Sequence, residues 1–127
     1  MTMREARKIA REFCNEHRIK LLLDWYQCPQ DQGAYADSTI WTGKIKDPIL
    51  FCVMFCHEVG HCIDDRSLVS RRECMKGSKL SGELTAWAHV PELMYRIFGI
   101  KLDDSVARFI GKNISTYQYP IPVDKRR

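Results

Sequence analysis

His57-Glu58-Val59-Gly60-His61 sets two imidazoles four residues apart with a carboxylate beside the first. Residues four apart lie on one face of an α-helix, so both rings can reach one metal ion while Glu58 points at water held there. Zinc in such a position lowers the pKa of its water to about 7, and the carboxylate takes the proton as hydroxide attacks a polarised carbonyl. The competing reading is a partly exposed helix whose imidazoles are satisfied by ordinary hydrogen bonds.

The flanks support a helix. Asp47-Pro48 is a start signal, because Asp caps free N–H groups and Pro suits the first helical position. The helix is expected from about Pro48 to Asp64. Cys52, Cys56, Val59 and Ile63 then form an apolar stripe facing away from His57 and His61, suited to packing on a sheet. Gly60 costs about 1 kcal/mol against Ala in a helix interior, which points to close packing or to room for a ligand.

A site of this kind needs a third protein ligand and an open position for water. Asp64 and Asp65 follow His61 too closely to swing back, and a metzincin would carry His or Asp where this chain has Ser67. Glu73 sits in a basic, irregular segment. Glu83 opens an apolar-periodic run through Ala86, Trp87, Val90, Met94 and Ile97, with Ser81 as its expected cap. A carboxylate in the first turn of that helix would be held rigidly, and the small Ala86 would allow a close helix crossing. Glu83 is therefore the expected third ligand, with His89 as the runner-up.

Through His57-Glu58-Val59-Gly60-His61 followed by Glu83-Leu84-Thr85-Ala86, the chain resembles the ImmA/IrrE family of small zinc metallopeptidases. The resemblance covers roughly residues 1 to 100 in layout, and the two motifs are its specific part. It implies an α+β, zincin-like domain: an N-terminal helix, a short three-stranded sheet, the motif helix packed against a Glu-bearing helix, and a C-terminal helix. It further implies that His57, His61 and Glu83 bind Zn2+, that Glu58 is the catalytic base, and that the substrate is a protein or peptide such as a helix-turn-helix repressor. Trp87 departs from the family, which more often has a small polar residue there.

Elsewhere, Thr2 and Glu5 make a capping box for a helix carrying Ala6, Ile9, Ala10, Phe13 and Cys14 on its apolar face and ending near His17. Ile19 to Tyr26 reads as a buried strand, Cys28 to Gly33 as a turn, and Ser38 to Ile45 as a second strand. Thr39 to Lys44 is the expected exposed edge for pairing with an extended substrate, and Trp41 there either lines a side-chain pocket or joins the core. Pro91 calls for a kink or fresh start near Val90, Gly99 for a stop, and Asp103 for the cap of a last helix with Val106, Phe109 and Ile110. Residues 115–127 read as an extended tail. Tyr26, Tyr35, His89 and Tyr95 all carry donors suited to an oxyanion, and sequence alone does not choose among them.

The 127 residues, 45% hydrophobic, fit a single domain over 1–127. With no apolar run of membrane length and no signal-peptide pattern, a cytoplasmic protein without membrane contact is expected. The six cysteines contain no Cys-x-x-Cys pair, and Cys52 and Cys56 share an apolar helix face, which favours free thiols. Arg66, Arg71, Arg72, Lys76 and Lys79 concentrate the net charge of +4 in the connector between the two motif helices. That cluster is either a solvated loop or a surface for an acidic segment or nucleic acid. Three functions follow: a zinc endopeptidase acting on a regulatory protein, a catalytically silent zinc-stabilised protein that sequesters a partner, and a SprT-like nucleic-acid-associated protease that would use His89 as ligand.

Overall fold

The computed structural model describes residues 1–67, 79–104, 106–108 and 110–112. Glu73, Cys74, Arg71, Arg72, Lys76, Phe109 and the 115–127 tail lie outside the described residues, as do the side chains of Lys79 and Ser81. Helix α1 spans Met3–Glu16, followed by strands β1 (Lys20–Leu22), β2 (Gly33–Ala36) and β3 (Thr39–Thr42). Helices α2 (Pro48–Arg66), α3 (Lys79–Ala88) and α4 (Val90–Phe98) follow. Helical residues at 104, 106–108 and 110–112 close the described chain. The fold is mixed α+β, and no described helix is long and apolar enough to cross a membrane.

The caps form where the sequence places them. Thr2 and Glu5 make both bonds of the capping box, at 3.1 and 3.0 Å, and Ala6, Ala10 and Cys14 turn a narrow, small-residue face inward. Asp47 accepts from the Ile49 N–H at 2.9 Å, with Pro48 opening α2. The helix breaks at His89, between Ala88 and Val90, next to Pro91. Gly99 ends α4 in the left-handed region at φ 68°, where a residue without Cβ is favoured, and its N–H donates to the Tyr95 carbonyl. Asp103 accepts from Val106 N–H at 2.9 Å and leads Val106 and Ile110 into the core.

Helix α2 is the axis of the molecule. Residues 51–60 are buried without interruption, as expected of a helix apolar on every side and covered on every side. Phe55 meets Phe13 of α1 and Phe98 of α4 edge to face, at 6.0 and 5.8 Å between centroids. The apolar stripe expected to include Ile63 stops short of it. Ile63 is exposed, although Cys62 and Asp64 on either side of it are buried, so it lies on the one face of this turn of α2 left uncovered.

The sheet has the order β1-β3-β2, with β1 parallel and β2 antiparallel to β3. Asp37 and Ser38, both at positive φ, form the two-residue link between β2 and β3, the backbone of a type I′ hairpin. Thr39 to Lys44 is therefore not an edge: its ordered part, β3, is the central strand, because the hairpin folds Gly33–Ala36 outside it. Ile19 to Tyr26 shortens to Lys20–Leu22, since Asp24 takes a positive φ and breaks the run. Tyr35 pairs with Ile40 and Ala34 with Trp41, so Tyr35 and Ile40 share the face toward α2 while Ala34 and Trp41 share the outer face.

Candidate metal centre

One turn of α2 brings the rings of His57 and His61 to 4.7 Å between centroids. Helix α3 supplies the third group, with one Glu83 carboxylate oxygen 2.9 Å from His57 Nε2 and the other 3.2 Å from His61 Nε2. Among the described residues, His57, His61 and Glu83 are the group whose ligand atoms, all within 4.8 Å of one another, could hold a metal ion. Two ligands at about 2.1 Å from a tetrahedral ion stand about 3.4 Å apart, so the donor spacing suits such an ion with small adjustments. A set of two imidazole nitrogens and one carboxylate is also the right chemistry for it.

The crossing of α2 and α3 explains the convergence. A Cβ on Gly60 would stand 2.5 Å from the Ala86 carbonyl oxygen, so the helices touch at a contact that only glycine allows. Close packing, the first of the two reasons read from sequence for Gly60, is present. Contacts ascend together along both helices, from Glu83 beside His57 and His61, through Ala86 beside Gly60, to His89 beside Asp64. Helix α3 already runs at Lys79, which puts Ser81 inside it rather than at its cap and Glu83 in its second turn.

Burial and charge shape the site. His57 and Glu58 are each 2% exposed, and Trp87 stacks on the His57 ring at 4.1 Å with 11° between planes. Trp87 thus forms one wall of the site. His57 lies in a row between two carboxylates, with Glu58 Oε2 3.1 Å from Nδ1 and Glu83 on Nε2. Burial opposes a charge on this imidazole, but the two carboxylates outweigh it and lift its pKa to about 9. For Glu83, burial is likewise outweighed by hydrogen bonds from His57 and His61, which pull its carboxyl down to about 2. Two carboxylates on either side of the buried His57 ring, one of them also beside His61, make this a place that favours a cation.

Glu58 lies under the sheet. A Cβ on Gly33 of β2 would come within 3.1 Å of its Cγ and Oε2, so the glycine lets the strand cross directly above the carboxylate. Glu58 thus stands at the junction of the donor set and the outermost strand.

The remaining sequence candidates fall elsewhere. His89 is not at the donor set: its Nε2 lies 2.9 Å from Oδ1 of Asp64, which is buried, and this pair fastens the end of α3 to α2. Tyr35 donates to Asp65 Oδ2 at 2.8 Å and accepts from Ser38 N–H at 3.1 Å, so its hydroxyl is committed to bracing the hairpin against α2. Tyr26 and Tyr95 are exposed. Arg66 is not a free basic group of the connector, for it donates to the carbonyls of His17 and Arg18 and to Ser38 Oγ. Cys14, Cys28, Cys52, Cys56 and Cys62 are free thiols, as the sequence suggests. Burial raises Cys14 and Cys52 to about 12, which makes them inert packing groups.

In comparisons with known proteins, the chain matches no family model, no curated protein and no solved structure.

Proposed function

We propose that this protein is a zinc-dependent endopeptidase that cleaves an extended segment of a regulatory protein. The observation that carries the reading is the convergence of His57, His61 and Glu83 from two helices, with Glu58 buried against His57 and beneath the outermost strand. His57, His61 and Glu83 would hold the ion. Zinc bound there supplies Lewis acidity toward a carbonyl and toward water. Glu58 would act as general base once its carboxylate turns from His57 Nδ1 toward the Nε2 side where the ion would sit, taking the proton of the attacking water and passing it to the leaving amine. Trp87, stacked on His57, excludes water from one side of that ring and fixes its plane.

Strand β2, rather than β3, offers its free edge to substrate, since among the described residues only β3 pairs with it. An extended peptide added to that edge would run past Gly33, directly over Glu58. The zincin-like architecture and the resemblance to ImmA/IrrE metallopeptidases belong to this proposal, as does a helix-turn-helix repressor as substrate. The contact of His89 with Asp64 favours this reading over the SprT-like alternative, which would use His89 as ligand.

The test pairs elemental analysis with proteolysis. Wild type should carry one zinc per chain, lost in Glu83→Ala and retained in His89→Ala. Glu58→Gln should keep zinc and fold while losing cleavage of unstructured protein substrates. Zinc retained in Glu83→Ala, or cleavage undiminished in Glu58→Gln, would refute the assignment; a folded zinc protein with no turnover would leave the sequestering role.

A further inference from the structure

On the outer face of the sheet, loop 23–32 and the strands border an open hollow of about 490 Å³. Trp25, Cys28, Pro29, Gly33, Ala34 and Trp41 line it together with two glutamines, and no charged side chain does. Its size is in the range of sites that enclose a small ligand or a large side chain. We propose that this hollow receives a bulky apolar side chain, aromatic or branched aliphatic, of a peptide paired with the free edge of β2. The proposal rests on the peptidase reading above and adds to it the class of residue that the substrate presents.

The location carries most of the argument. Gly33 belongs to both places: it lines the hollow, and the space where its Cβ would be is 3.1 Å from Glu58 Oε2. One residue of strand thus separates the hollow from the carboxylate assigned as base. Ala34 lies on the outer face beside Trp41, its partner in the sheet, and both Ala34 and Ala36 are exposed and small. The outer side of the edge strand is therefore clear of bulk. In an added strand, alternate side chains point to this same face, so a residue close to the scissile bond would fall over the two tryptophans.

The hollow is also rigid, which suits recognition. Trp25 N–H donates to the Thr42 carbonyl at 2.8 Å, Gly43 N–H to Gln32 at 2.9 Å and Asp31 N–H to Lys44 at 3.0 Å. The loop is thereby fastened to the end of β3 at both of its flanks. Gly43 makes this possible, since a Cβ there would overlap the Pro29 carbonyl. Two tryptophans held half-buried around an uncharged hollow are poorly used as core and well used as a wall for an apolar guest. A preformed wall loses little conformational freedom on binding.

The test uses the zinc-loaded full chain and short unstructured peptides of alanine, glycine and serine, in which each position in turn is Phe or Ala. Binding is followed by calorimetry on Glu58→Gln, and cleavage by mass spectrometry on the chain with Glu58. The expected result is a Phe-over-Ala preference of about tenfold or more at one fixed position, the scale of burying one aromatic side chain. That preference should fall below about threefold in Trp25→Ala and in Trp41→Leu. Ala34→Leu, which fills the hollow from an exposed position, should remove it too and guards against a tryptophan variant that does not fold.

A preference that survives all three substitutions, or cleavage with no preference, overturns the pocket while leaving the peptidase reading intact. A tryptophan-dependent preference in binding with no cleavage by the Glu58 protein keeps the pocket and sinks the peptidase. Neither binding nor cleavage of any peptide overturns both.

Discussion

Replacing Gly60 by Ala tests the crossing of α2 and α3 and the donor set together. The new methyl would stand 2.5 Å from the Ala86 carbonyl oxygen, whereas ordinary contacts begin at 3.4 Å. The difference means that the helices must part by up to about 0.9 Å, an overpacking that costs about 1–3 kcal/mol. The helix gains about 1 kcal/mol from Ala over Gly, and because the obstructing atom is main chain and cannot rotate away, the net loss should be about 1–2 kcal/mol. For a domain of this size that lowers Tm by about 3–10 °C. Glu83 stands one turn before Ala86 on the same helix and withdraws with it, so zinc affinity should fall at least about tenfold, as for lost support of a ligand. Thermal melts of the metal-free protein and chelator competition of the zinc form measure the two effects separately. Ala86→Gly should not rescue either loss, since the overlap is with a carbonyl oxygen rather than the Ala86 methyl. Unchanged zinc affinity together with an equal or higher Tm would refute the argument.

Metal-free stability should depend on pH in a defined way. Glu83, lowered from 4.5 to about 2, contributes stability above pH 4.5 that is lost as pH falls through about 2, while His57, raised from 6.5 to about 9, contributes stability below pH 6.5 that is lost as pH rises through about 9. Melting after chelation should therefore peak between pH 4.5 and 6.5, and a Tm that climbs from pH 6.5 to 9 would contradict it. His89→Ala removes the hydrogen-bond partner of buried Asp64 and should cost about 1–3 kcal/mol in denaturant melts without loss of zinc; a neutral effect would deny the clasp. Phe55→Ala empties the contact of α1, α2 and α4 and should cost about 3–5 kcal/mol, with less than 2 kcal/mol arguing that the packing is looser than described.

What could be read ahead of the structure was what a short window contains. His57 and His61 share a face because of a four-residue step, and the caps at Thr2, Asp47, Gly99 and Asp103 are signals within three or four residues of their effect. Glu83 was legible because an apolar repeat put it on a helix of its own. Strand β2 was not, since Gly-Ala-Tyr-Ala has weak strand preference and its link is Asp37-Ser38 instead of the Asn-Gly that marks a hairpin. Its strand character comes from distant partners: β3 beside it and Asp65 of α2 holding Tyr35. Missing β2 misassigned the edge, and with it the strand above Glu58. Arg66 and His89 were misread for the same reason. A clamp onto His17 and Arg18, or onto Asp64, joins residues far apart in sequence, and no local pattern announces it.

The burial of His57 and Glu58 bears on why the chain keeps them. Replacing buried charged groups with apolar ones of similar size is often neutral or stabilising, so a carboxylate, an imidazole and a second carboxylate in a row at the centre of a small domain are weak contributors to stability. Nearly every neighbour of His57 and Glu58 on α2 is apolar and suited to the core: Phe51, Val53, Phe55, Val59. A helix built only to fill this domain would continue that pattern through positions 57 and 58. Instead Gly60 lets α3 close on α2 one turn from His57, and Gly33 lets β2 close over Glu58. Gly33 on β2 and Gly60 on α2 thus bring two separate elements against the helix that carries His57 and Glu58, an arrangement that a cation and a reacting group held there account for.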